Sequence, residues 1–152
     1  MISHPRRRAT VFTTAATVSV LSAVALTPAS AQAANPVLVS NAANSVRCQL
    51  ITDEHGQTFT LCVSDIARQS QPECNPPAEL IPAVKIEPGY AGTSCWNQGF
   101  GQTPTPLQPL QFRSHGTAVV TAGFGGDLYV FDFARLALIR AGATNTVFFA
   151  LR

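Results

Sequence analysis

Charge is scarce in this chain: Asp, Glu, Lys and Arg make up only 12% of its 152 residues, and Lys85 is the one lysine. Without clustered Lys and Arg a protein cannot neutralise phosphates, so nucleic-acid binding is excluded as a function. The chain has no C-x-x-C pair, the usual source of two thiolates on one turn for structural zinc, and no metal or cofactor is expected. It also lacks a G-x-S-x-G nucleophile elbow and a Gly-Lys-Ser/Thr phosphate loop. No stretch of ten or more residues keeps a clean 3.6-residue period, which argues against helices as the framework. The length allows one modest domain and leaves no room for a multi-domain enzyme.

What is present begins with an address. Arg6-Arg7-Arg8 opens an uncharged stretch from Ala9 to Thr27, followed by Pro28-Ala29-Ser30-Ala31-Gln32-Ala33. A charged start, an apolar middle and a small-x-small ending are the parts of a secretory signal peptide. Residues 1–33 are therefore read as a leader, cut after Ala33 or Ala31, with residues 34–152 as a single mature domain. The stretch is diluted by Thr10, Thr13, Thr14, Thr17, Ser19 and Ser22 and is too polar for a membrane span. Ala9-Thr10-Val11 fits the twin-arginine pattern poorly, so ordinary export serves equally well. Removing three leader arginines leaves seven Lys and Arg against eight Asp and Glu, so the charge changes from +2 to −1. The expected product is secreted, with no membrane span in the mature chain.

All four cysteines, Cys48, Cys62, Cys74 and Cys95, lie after the leader. An even count in a small exported chain reads as two disulfides. Residues 45–51 and 57–64 are β-prone and flank a turn. If Glu54-His55-Gly56 is a three-residue hairpin loop with Gly56 in the left-handed position, the ladder pairs Ile51 with Phe59 and Cys48 with Cys62. Directly opposed cysteines lie within disulfide reach. The pairing predicted is Cys48–Cys62, leaving Cys74–Cys95.

Residues 36–40, 45–51, 57–64, 117–122, 128–133 and 146–151 read as strands, with 134–140 able to be strand or helical turn. Between Pro72 and Pro109 stand eight prolines and four glycines, a density that leaves only 83–87 as a short strand, at an edge. The sum is an all-β fold: a small disulfide-stapled sandwich or open barrel of six or seven short antiparallel strands with a Pro/Gly-rich central region.

Candidate chemistry is thin. His115 follows Ser114, but neighbours on a strand face opposite ways, so the two are not catalytic partners. Asp132 is the one acid in an apolar setting. Alternation separates it from Phe131 and Phe133, and with the aromatics inward it faces solvent. Trp96 and Phe100, flanked by Asn97 and Gln98 beside Cys95, are candidate binding residues for a sugar or a protein. The competing reading, which is favoured, packs Trp96 over the disulfide as core.

The cysteine framework carries a resemblance. Asn44-Ser45-Val46-Arg47-Cys48, a hairpin returning to Cys62, then Pro72-Glu73-Cys74 and Gly92-Thr93-Ser94-Cys95 resembles that of small exported actinobacterial proteins of unknown function. The resemblance implies a C-terminal hairpin closing on aromatic residues, where Phe148-Phe149-Ala150-Leu151 stands. It departs in having no further cysteine pair after Cys95, and it implies no activity. Secreted subtilisin inhibitors are also small, β-rich and doubly bridged, but little of their chain follows the last cysteine, whereas 57 of the 152 residues follow Cys95 here. The expectation is a non-catalytic exported protein that binds an unidentified protein or carbohydrate at the cell envelope or outside it. The alternatives are a secreted protease inhibitor and a small secreted hydrolase using His115 or Asp132.

Overall fold

In the computed structural model, residues 35–151 are described; the expected leader, with the cleavage positions Ala31 and Ala33 expected for it, lies outside the described residues. Asp53 and Gln57 close a turn whose backbone N–H groups bond Asp53 N to Gln57 O (3.0 Å) and Gly56 N to Asp53 O (3.0 Å). Gly56 takes φ +76°, a left-handed value that suits a residue without a side chain. This loop sets the register of β2 (Val46–Thr52) against β3 (Thr58–Ser64), with Cys48 opposite Cys62 and a disulfide between them. The second bridge joins Cys74 to Cys95.

The hairpin belongs to a six-stranded sheet. Its order is β5-β4-β3-β2-β1-β6, built from β1 (Val37–Asn41), β2, β3, β4 (Ile81–Glu87), β5 (Tyr90–Trp96) and β6 (Thr105–Leu107). The second sheet is a five-stranded meander of β7 (Phe112–His115), β8 (Ala118–Ala122), β9 (Leu128–Asp132), β10 (Ala137–Ala141) and β11 (Thr146–Ala150). All pairings are antiparallel except β1 with β6. The sheets pack face to face as a sandwich. The described residues thus hold eleven strands, more than the six or seven expected.

The extra strands are where proline and glycine hid them. The proline-rich stretch carries β4, β5 and β6, and β4 is interior rather than at an edge. Pro82 is tolerated in β4 because it sits one step beyond the last β3 partner, Ala83, and is opposed only by Cys95. Pro106 lies in β6, a true edge strand. Residues 97–104 run from β5 at one edge to β6 at the other, about 24 Å across at ~4.8 Å per strand. Nine residue steps reach at most about 30 Å, so the crossing is close to taut. Leu38, Val63 and Ala83 are buried although alternation points their side chains away from the inter-sheet core.

That core is aliphatic. Val39, Val46, Leu50, Val84, Ile86 and Leu107 meet Val120, Leu128, Val130 and Ile139, with the Cys48–Cys62 disulfide among them and no aromatic ring. The five-stranded sheet contributes Ala118, Ala122, Ala137 and Ala141, small side chains that let the sheets approach. Polar ties fasten both ends. At one, Asn41 Nδ2 donates to Gly126 O (2.7 Å), Ser64 Oγ to Gly142 O (2.6 Å) and Asn145 Nδ2 to Gln71 Oε1 (2.5 Å). At the other, Thr117 N donates to Thr58 Oγ1 (3.0 Å) and Arg135 Nη1 to Thr58 O (2.8 Å).

Candidate functional site

Strand β9 reads Leu-Tyr-Val-Phe-Asp, and its alternation has the phase opposite to the expected one. Leu128, Val130 and Asp132 point inward; Tyr129 and Phe131 point outward, and Phe133 beyond them is exposed. Asp132 is fully buried, which corrects the expectation that it faces solvent. The turn after β9 explains why. Asp132 Oδ1 accepts the N–H of Ala134 (2.9 Å), that of Arg135 (3.3 Å) and the hydroxyl of Thr117 (2.9 Å). Its Oδ2 accepts from Arg135 Nη1 at 2.6 Å. A carboxylate so held organises a turn and closes an ion pair.

His115 is also buried, facing inward beside Ala118, which in turn opposes Asp132. Two strand spacings, about 10 Å, separate it from Asp132, so the two do not form a catalytic pair. Its Nε2 has no protein partner. His55 stands exposed at the β2–β3 tip, beside Asp53. Among the described residues no group of three or more His, Cys, Asp or Glu could hold a metal ion. No helix among them is long and apolar enough to cross a membrane.

Trp96 is not in the core between the sheets. It sits half-buried at the end of β5, on the outer face of the six-stranded sheet, where it lines a shallow groove of about 200 Å³ with Phe59, Leu61, Gln49 and Lys85. Phe100 lies half-buried on the crossing and does not line that groove. The two sequence candidates therefore do not form one site. Cys74 is buried, and the Cys74–Cys95 bridge ties the loop of residues 65–80 to β5, where Gln71 Nε2 also donates to Ser94 O (3.2 Å).

The most distinctive surface is the outer face of the five-stranded sheet. With the phase of β9 set by Asp132, its aromatics emerge on that face and meet those of β11. Phe131 contacts Phe133 edge-on at 4.6 Å between centroids and Phe149 at 6.2 Å. Tyr129 stacks on Phe148 at 6.5 Å. A β-bulge makes this possible. Leu138 pairs with Phe149 and Ile139 with Val147, so Phe148 is the extra residue and both phenylalanines lie outside. Without the bulge, neighbours in sequence would point to opposite faces.

Phe112, opposite Thr121, extends the patch to β7, and Phe124 projects from the β8–β9 turn. Phe112, Phe124 and Phe133 are 64%, 80% and 60% exposed. The only charged side chain at an outward strand position is Arg140, with its guanidinium 5.8 Å from the Phe148 ring centroid. Sequence reasoning missed this site because it placed Phe131 and Phe133 inward; the signal available was the Asp132-to-Arg135 turn chemistry. Comparison with protein-family models, with curated proteins and with solved structures finds no match for this chain.

Proposed function

We propose that this is an exported, non-catalytic binding module whose interaction surface is the aromatic face of the five-stranded sheet, and that its partner is a protein. One observation carries the reading: the aliphatic core contains no aromatic ring, while six phenylalanines and Tyr129 gather on one outer face and at its margin. Exposed apolar patches of more than a few hundred Å² on a soluble domain mark interaction sites. Aromatic residues with a single Arg and no acid match the composition of interface centres, where Phe, Tyr and Arg are enriched and Asp and Glu depleted. Phenylalanine offers no hydroxyl or N–H to a sugar, so a protein partner is favoured over a carbohydrate. The two disulfides suit an oxidising compartment.

A photo-cross-linking amino acid at position 149, and at His55 as control, tests this in extracts of the producing cell's envelope and medium. The expected result is one discrete protein adduct from position 149 and none from position 55. That adduct disappears when Phe112 and Phe133 are replaced by Ser. Equal labelling from both positions, survival of the adduct in the double variant, or polysaccharide binding that depends on the same phenylalanines overturns the proposal.

A further inference from the structure

At one corner of the sandwich the edge strands β5 and β11 leave a cavity of about 510 Å³ between them. Its position follows from the sequence. The residues that reach it are small (Ala91, Ala134, Ala137 and Ala150), so space remains where larger side chains would have met. Ile86 and Val147 complete the apolar wall. The volume lies within the range of about 300–1,000 Å³ found for small-molecule sites.

One side chain lining the cavity is cationic. Arg135 is 18% exposed and fixed from one side only: its Nη1 bonds to both Asp132 Oδ2 and the Thr58 carbonyl. The Nε and Nη2 hydrogens form the other edge of the guanidinium, a parallel fork of two donors. Neither atom has a protein partner among the described residues, and neither is a buried orphan. Two other polar side chains stand at the rim, one of them the acid Glu87. The Oε1 of Glu87 pairs with Lys85 (2.8 Å), which offsets its charge, and the Tyr90 hydroxyl donates to Thr93 O (3.1 Å). An immobilised fork beside a wall of Ala91, Val147 and Ala150, in a cavity of mixed polar and apolar lining, is complementary to a planar anion carried on a hydrocarbon body.

We infer that this cavity is a binding site for a small amphipathic carboxylate of the medium-chain fatty-acid class, with the carboxylate on the Nε–Nη2 edge of Arg135 and the chain against Ala91, Val147 and Ala150. Asp132 already balances the Arg135 charge, so recognition comes from the geometry of two charge-assisted hydrogen bonds rather than from net attraction. The site lies at the sheet edges, apart from the aromatic face, and its occupation does not depend on the proposed protein partner.

Titration of the folded protein with ¹³C-carboxyl decanoate, followed by NMR, tests it against decanol as the neutral counterpart. Decanoate is expected to bind saturably at one site, at least about tenfold more tightly than decanol. Ala150→Phe, at an exposed position on the wall, fills the chamber and weakens decanoate at least tenfold while the protein stays folded. Arg135→Lys keeps a cation beside Asp132 but removes the fork, so the preference for decanoate over decanol disappears. Absence of saturable decanoate binding, equal affinity for decanol, or unchanged affinity in Ala150→Phe overturns the assignment.

Discussion

Asp132 and Arg135 face each other across the β9–β10 turn at 2.6 Å, a pair closed by two residues of the same turn at one end of the sandwich. The carboxylate is fully buried and the Arg135 side chain half-buried. Such a pair is weak evidence for net stability, but breaking it leaves one charge buried alone. Asp132→Ala is therefore expected to lower the unfolding free energy by about 3–5 kcal/mol, measured by urea denaturation. A loss below about 1 kcal/mol would show that water reaches the stranded Arg135.

The two disulfides close loops of 14 and 21 residues, for which chain entropy alone gives each roughly 3 kcal/mol. Their structural effects differ. Cys48–Cys62 joins strands that already pair, whereas Cys74–Cys95 is the covalent tie on the loop of residues 65–80. Replacing Cys74 and Cys95 by Ala is expected to open that loop to limited proteolysis while β-sheet circular dichroism persists. Cleavage elsewhere first would contradict this.

Gly116 has φ +55°, and a methyl group there would collide with the hydroxyls of Thr58 and Thr52. The collision falls beside the bond from Thr117 N to Thr58 Oγ1, one of the ties between sheets. Gly116→Ala is expected to destabilise by more than about 1 kcal/mol, since both backbone and packing oppose it. Gly125→Ala, where nothing lies within 4 Å and φ is not positive, serves as the control and should change little.

Core and face respond oppositely to truncation. Ile139→Ala, at a fully buried site, is expected to lose about 2–5 kcal/mol. Phe124→Ser, at a projecting turn, is expected to stay within about 0.5 kcal/mol of the parent. Phe124→Ser combined with Phe133→Ser should also reduce binding of a hydrophobic dye to the native protein. Undiminished dye binding would locate the exposed apolar surface elsewhere.

These contrasts show which features were legible in the sequence. The Cys48–Cys62 register followed from counting back from Gly56, because a three-residue loop leaves no freedom in the ladder. The all-β class followed from short β-branched runs between turns. Strand β5 escaped because Ala91-Gly92 and the surrounding prolines and glycines masked its strand-favouring Tyr90, Thr93 and Trp96; the β4 ladder and the Cys74–Cys95 bridge hold it. Strand β6 is three residues long and pairs with distant β1, which no local pattern reveals. In β9 the period of two was visible and its phase was not. Phenylalanine carries more apolar surface than valine, but the Asp132 turn decided the orientation, and the candidate face was hidden with it.

The order of the strands in the first sheet bears on how the chain assembles. From β1 to β5 each strand pairs with the one made just before it, so five strands find their partners from nearby sequence alone. Contacts of this kind form quickly, because little chain has to be closed into a loop. The sixth strand is different. Thr105 meets Val39 only after the crossing has traversed the finished sheet, so that pairing reports on the completed first half of the molecule. The second meander starts directly beyond it, and its aliphatic face then has a preformed surface on which to settle.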